Sequence, residues 1–201
     1  MKNKIEKKRK QYFIAAFVMM FLMVFGNRGY AQELSGPGAG LKSGNSTNGV
    51  SIYVSKRLKT LSLKQNGVLI AEYPVSMGAA SLDGDKNVEG DMRTPSGQFY
   101  ICTRNDKSIA YLAFGLSYPG IEDAKRGYLQ GIITEEQRDQ IIKANLAGEQ
   151  PPWDTPLGGA IEIHGCREPE GTTHGCVAVD NEVMDVLWSY CNLGVPVTIG
   201  P

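Results

Sequence analysis

The sequence is poor in what several large classes of protein require. Its 21 Lys and Arg are matched by 21 Asp and Glu, and 201 residues include only two His, four Cys and two Trp. The balance of charge hides an asymmetry. Lys2, Lys4, Lys7, Lys8, Arg9, Lys10 and Arg28 stand against the single acid Glu6 in residues 1–31, which leaves 14 basic and 20 acidic groups, a net −6, in the rest. A mildly acidic body lacks the basic face that displaces counterions from nucleic acid, so no nucleic-acid partner is expected. The 24 Gly and 10 Pro follow no triplet, which excludes collagen, and no segment recurs at a fixed period. An apolar fraction of 42% and a charged fraction of 21% exclude wholesale disorder. The chain is long enough for one domain of ordinary size and a tail, but not for two domains.

Long apolar runs are scarce too. Residues 12–25 form an uninterrupted apolar stretch of 14. As a helix it spans about 21 Å, short of a hydrocarbon core of roughly 30 Å. It follows the cationic residues 2–10 and precedes Gly29-Tyr30-Ala31, with small residues at the two positions a signal peptidase reads. Residues 1–31 are therefore read as a signal peptide cleaved after Ala31, the alternative being an uncleaved membrane anchor. Either way the body is expected to be exported, to the periplasm or cell envelope. Residues 32–50 hold five Gly, three Ser and one Pro, too little apolar surface to offset their ordering entropy, and read as a flexible linker. The domain then occupies residues 51–201.

Within it, two apolar-rich segments flank Asn66-Gly67, a strong hairpin signal because both residues tolerate positive φ. Thr94-Pro95-Ser96-Gly97 is a turn leading into a strand over residues 98–103. Thr134 and Gln137 form a capping box that opens a helix running to about Ala147 and stopping at Gly148. Residues 160–164, 176–179 and 195–199 read as short strands. Val183, Val186, Leu187 and Tyr190 recur at helical spacing, with Gly194 closing that helix. Short strands dominate, so the fold is expected to be mostly β, a sandwich or a curled sheet. Residues 116–159, too long for a hairpin loop, are read as a helical insertion capping a cleft, with Trp153 near its end.

Both histidines and two of the four cysteines fall within residues 164–176. Three readings compete for this cluster. An exported domain with an even number of cysteines is often stapled by disulfides. His-x-Cys occurs twice, and on extended chain such pairs face one way, so a tetrahedral zinc site is the second reading. The third is a cysteine nucleophile with a histidine base. The thiolate is the reactive form, and an imidazole beside it can take the proton. A Gly immediately before the cysteine lets backbone N–H groups approach a developing oxyanion. Thr173-His174-Gly175-Cys176 has that arrangement.

The segment also resembles the signature of the L,D-transpeptidase catalytic domain (YkuD-type) family, an upstream His-Gly followed by Ser or Thr, then His-Gly-Cys. The resemblance extends to residues 73–78, 94–101 and 152–159, and covers most of the domain. It implies an L,D-transpeptidase-like β-sandwich or curled sheet with a helical insertion and a late helix. Cys176 is similar to the family's nucleophile and His164 to its general base. The Gly165 carbonyl would orient His164, and N–H groups of His174, Gly175 and Cys176 would form the oxyanion hole. Thr173 would shape the loop and substrate cleft. Three features depart from the commonest motif. The gap between His164 and Thr173 is short. The position two after the cysteine is Ala178, so a polar substrate contact is sought elsewhere, at Arg167, Arg93, Arg104 or Tyr118. Finally, Cys166 mimics the nucleophile motif but lacks the Thr-His-Gly context that only Cys176 has, and reads as a buried thiol or disulfide partner.

The resemblance implies acyl transfer on peptidoglycan stem peptides, with no cofactor and no metal. The acceptor is an amine, commonly on a second stem or, as a further partner, on a wall or envelope protein. Rival expectations are an L,D-carboxypeptidase or endopeptidase that hydrolyses the same acyl-enzyme, and a non-enzymatic wall-binding or zinc-stabilised domain.

Overall fold

The computed structural model describes residues 47–201. The signal peptide expected at 1–31 and most of the linker expected at 32–50 lie outside them; within the remainder, Val50 already opens the first strand. Eight strands and three helices follow in the order β1 (Val50–Ser55), β2 (Thr60–Gln65), β3 (Val68–Pro74), β4 (Gly97–Ser108), β5 (Tyr111–Leu116), α1 (Ile121–Leu129), α2 (Glu135–Ala147), β6 (Glu162–His164), β7 (Val177–Ala178), α3 (Asn181–Tyr190) and β8 (Pro196–Gly200). The strands form one mixed sheet, ordered β3-β2-β1-β8-β4-β5-β6-β7. Only β1–β8 and β6–β7 run parallel. A single curled sheet, not two packed sheets, is the architecture.

The curl has a local cause. β4 pairs with β8 over Gly97–Tyr100 and with β5 from Ile101 onward, and its register shifts between Ile101 and Thr103 and again between Asn105 and Ser108. Such bulges bend a strand and increase its twist. The main core lies on one face, where Phe99, Ile101, Phe114, Ile163, Val177 and Val197 meet Met184 and Leu187 of α3. Ile163 and Val177 are fully buried and directly paired. Burying each stabilises by roughly 1.5–3 kcal/mol. A one-residue slip of either short strand would turn Glu162 or Cys176 into this core, so packing fixes the register that the opposite face depends on.

Several local signals match the structure. Asn66 and Gly67 take φ values of 51° and 79° between β2 and β3. At α2, the Gln137 N–H donates to Thr134 Oγ1 (3.2 Å) and the Thr134 N–H to Gln137 Oε1 (3.0 Å), while Gly148 closes the helix at φ 73°. Other boundaries differ. α3 ends at Tyr190, where the Cys191 N–H caps onto the Leu187 carbonyl at 2.8 Å, and Gly194 instead turns the chain into β8. β6 begins only at Glu162, because Ala160 has φ 50° and cannot extend the strand. β1, β5 and α1 have no counterpart in the sequence reading.

The insertion joins β5 to β6, which are antiparallel neighbours. Its helices share a small core of Ala124, Ile133, Ile141 and Leu157. Tyr100 of β4 donates its hydroxyl to the Glu149 carbonyl at 2.7 Å, tying the insertion to the sheet.

Candidate active site

His164 and Cys176 come together through the pairing of two very short strands. His164 is the last residue of β6 and pairs with Ala178, while Ile163 pairs with Val177. Side chains alternate along a strand, so with Ile163 and Val177 in the core the other face carries Glu162 and His164 from β6 and Ala178 from β7. Cys176, one residue before β7, continues that row beside Glu162. The contacts of its sulfur agree: Sγ donates to the Ala160 carbonyl at 3.5 Å, and the backbone N–H of Glu162 donates to the sulfur. The thiol therefore lies between one acceptor and one donor.

His164 is held by its own chain. Nδ1 lies 2.7 Å from the carbonyl oxygen of Gly165. A carbonyl only accepts, so this contact requires the proton on Nδ1 and leaves Nε2 as the free base nitrogen. The ring is half-buried, as is Cys176.

The loop before Cys176 is organised by Thr173. Its hydroxyl donates to the Cys176 carbonyl at 2.7 Å and accepts the Gly175 N–H at 3.1 Å, while its own N–H reaches the Met77 carbonyl at 2.9 Å. Thr173 thus shapes the loop, with its hydroxyl already engaged there and not offered to a substrate. The Gly175 N–H, expected in the oxyanion hole, is engaged as well. The N–H groups of His174 and Cys176 have no hydrogen-bond partner among the described residues. Gly175 has φ 144°, and a Cβ there would meet the Arg93 carbonyl at 2.9 Å. Both conditions require glycine.

The electrostatics of the thiol involve two residues that sequence reasoning passed over. Burial pushes the Cys176 thiol above its ordinary range; the Glu162 N–H pulls it down, the Glu162 carboxylate pushes it up, and the Lys86 ammonium pulls it down. Lys86 is itself buried and ion-paired to Asp91 at 2.8 Å. The Glu162 carboxyl is also held above the usual carboxylate range, chiefly by burial, with His164 opposing. A signal for Glu162 existed: it stands two residues before His164, on the same face of any strand that holds both.

The remaining candidates lie elsewhere. Tyr118, expected as a substrate contact, is 0% exposed, and its hydroxyl donates to the Leu157 carbonyl at 3.1 Å. It belongs to the core. Arg167 is occupied by Asp180, with contacts of 3.0 and 3.2 Å, and so is not free for a substrate. Arg104 lies over the Trp188 ring at 4.0 Å and donates to the carbonyls of Cys191 and Trp188, bracing β4 against α3. Arg93 is the one arginine of the three at the site, through its carbonyl against Gly175; its Nε is buried without a partner. Cys166 is an exposed free thiol at φ 57°, not a buried one. Burial pushes the thiols of Cys102 and Cys191 up to about 12. Trp153 lies with its ring edge against Gly115 and its backbone against Gly159. Among the described residues no group of three or more His, Cys, Asp or Glu is arranged to hold a metal ion. A groove of about 1100 Å³ runs between β4 and the two helices of the insertion, but neither Cys176 nor His164 lines it.

A family model described as the L,D-transpeptidase catalytic domain matches residues 49–199. Among solved structures, Bd1075 of Bdellovibrio bacteriovorus superposes with a TM-score of 0.50 at 23% identity, covering 76% of this chain and 48% of that one. The helical cell shape determining protein Pgp2 of Campylobacter jejuni gives 0.51 at 21% identity, covering 75% and 46%. The chain thus spans about half the length of each, and likeness at this identity speaks for the fold alone. No curated protein matches the chain. The family match takes in the sheet, the insertion and the His164 and Cys176 motifs, and the chain belongs to the L,D-transpeptidase catalytic domain family.

Proposed function

We propose that the chain is an exported cysteine acyltransferase that forms a thioester at Cys176 on peptidoglycan tetrapeptide stems and passes the acyl group to an amine. One observation carries the reading: Cys176 and His164 share a sheet face, with His164 held through Nδ1 so that Nε2 is free. His164 Nε2 takes the thiol proton, and Sγ attacks the carbonyl carbon of the amide after the third, diaminopimelate-type residue. The oxyanion that forms is met by the N–H groups of His174 and Cys176, which act at the position where charge develops. His164 returns its proton to the departing amine, the C–N bond breaks, and the terminal D-amino acid leaves. An acceptor amine, on a second stem or on an envelope protein, then attacks the thioester while His164 takes its proton. The new amide forms as the Cys176 sulfur departs.

The test is mass spectrometry of purified sacculi after incubation with the protein, with Cys176→Ala as control. Cross-linked dimers joined through two diaminopimelate-type residues support transfer to a stem. Trimmed tripeptides without dimers replace the transferase by a hydrolase acting through the same thioester. Neither product, from folded protein, overturns the acyl-enzyme reading.

A further inference from the structure

The site face carries a carboxylate for which the acyl-transfer scheme has no use. Glu162 is half-buried on β6, two residues from His164 and beside the Cys176 sulfur, to which it lends its N–H. Its carboxylate makes no hydrogen bond or ion pair among the described residues. Burying an ionisable group without a partner is costly, so its position calls for a reason. The neighbours confirm its confinement. Glu162 pairs across β5 with Gly115, whose missing side chain makes room for the edge of the Trp153 ring. The indole Nε1 of Trp153 is itself buried without a partner.

Three ionisable side chains thus share one strand-wide patch: Glu162 and His164 from β6, and Cys176 from the end of the nucleophile loop. Of the other charged or titratable groups, Lys86, itself paired with Asp91, acts on Cys176, and the Glu162 carboxylate acts on the Cys102 thiol of β4. Resting on the reading of Cys176 and His164 as nucleophile and base, we propose that Glu162 is a positioning residue that ties their protons together: its carboxylate allows the Cys176 thiolate to form only in company with a protonated His164. A fixed negative charge beside both groups opposes a lone thiolate by repulsion and favours an imidazolium by attraction. For the pair taken together, thiolate and imidazolium, the two effects largely cancel. The proton of Cys176 therefore passes to His164 and is not lost to solvent. A thiolate without its imidazolium is the species an oxidising compartment attacks, so the device keeps the resting sulfur reduced while leaving the first catalytic proton transfer unopposed.

The test is a four-way comparison of alkylation in a Cys166→Ser background: unchanged, Glu162→Gln, His164→Ala and the double variant. The Cys176 sulfur displaces iodide from iodoacetamide, and the rate is followed against pH with the modified peptide mapped. With His164 present, Glu162→Gln should change the rate at pH 7 by less than about twofold. With His164 removed, the same change should raise it about three- to tenfold, the effect of deleting one like charge a few ångströms away in a medium of intermediate dielectric. Glu162→Asp, which keeps the charge, should stay with the glutamate protein in both backgrounds. Equal effects in the two backgrounds overturn the coupling, and no effect in either overturns the electrostatic role. If Glu162→Asp behaves like Glu162→Gln, side-chain shape is responsible and the proposal also fails. Alkylation of buried Cys191 reports any unfolded variant, in which case Glu162→Ala repeats the comparison. No substrate enters this measurement, so failure on sacculi overturns the acyltransferase reading without touching it.

Discussion

The chain contains one tripeptide twice, His164-Gly165-Cys166 and His174-Gly175-Cys176, and the fold brings opposite ends of the two copies to the site. In the first, the histidine closes β6, so strand pairing fixes its side chain, and the cysteine lies beyond the strand, exposed, at φ 57°. In the second, the cysteine stands immediately before β7 and the exposed histidine lies three residues before it. Which residue becomes part of the site is decided by distance from a strand end, not by the tripeptide. The glycines differ in the same way. Gly165 supplies a carbonyl to the His164 ring, whereas Gly175 supplies absence of a side chain beneath Arg93.

The largest effect that separates the two copies is expected at their cysteines. Cys176→Ala should remove activity on sacculi by about 10³-fold or more, since no other group at the site can form the thioester. Cys166→Ala should keep most of it, because Cys166 is exposed and only its backbone N–H is engaged, by Asn181 Oδ1 at 2.8 Å. The reverse pattern of losses would show that the roles of the two copies are exchanged. At the histidines the contrast is smaller. His164→Ala should cost about 10²–10⁴ in rate, the usual worth of a general base. His174→Ala keeps the backbone N–H and should lose less than about tenfold. Steady-state rates on a soluble tetrapeptide stem would measure both.

That contrast also explains what could be read in advance. Where structure is written in local chemistry, it was legible: the Asn66-Gly67 turn, the Thr134–Gln137 box and the glycine after α2 each specify their own geometry. β5 was missed because its hairpin turn lacks a marker; Tyr111, not Gly or Asn, takes the positive φ of 74° after Ile109-Ala110. α1 was missed because it is only nine residues long, opens at Gly120 and contains Gly127 against Leu157. At the site, the motif pointed to His164 and Cys176, whose segments the pairing of β6 with β7 sets side by side. It said nothing of Glu162, whose place depends on the pairing of β6 with β5, or of Lys86, which arrives from a distant loop. Tyr118 and Arg167 were misjudged because a polar tip in a sequence does not reveal that Leu157 or Asp180 already occupies it.

The glycines give a third contrast. Gly175→Ala places a Cβ 2.9 Å from the Arg93 carbonyl and 3.0 Å from Ile161 Cδ1, at a backbone angle that an L-residue rarely adopts. Strain of this kind costs about 1–3 kcal/mol. The melting temperature should therefore fall, and because the loop carries both open N–H groups, activity should fall by more than tenfold beyond any loss of folded protein. A melt and a rate taken on the same sample separate the two. Unchanged values of both would mean the loop relaxes freely, and the oxyanion assignment would lose its rigid support.

The smallest effect comes from installing a glycine where the first copy has its cysteine. Cys166 adopts φ 57° with its side chain in solvent, a conformation that costs an L-residue about 1–2 kcal/mol and glycine little. Glycine also gives the unfolded chain more freedom, which opposes that gain by about 0.4–1 kcal/mol. The N–H donated to Asn181 survives the change. Cys166→Gly should accordingly leave stability within about 1 kcal/mol, tending to a gain, and leave the rate on stem peptide intact. The measurement is the shift in denaturation midpoint beside the steady-state rate. A large loss of rate at unchanged stability would mean that the Cys166 thiol reaches the reacting atoms, and the two copies could no longer be told apart by their distance from a strand end.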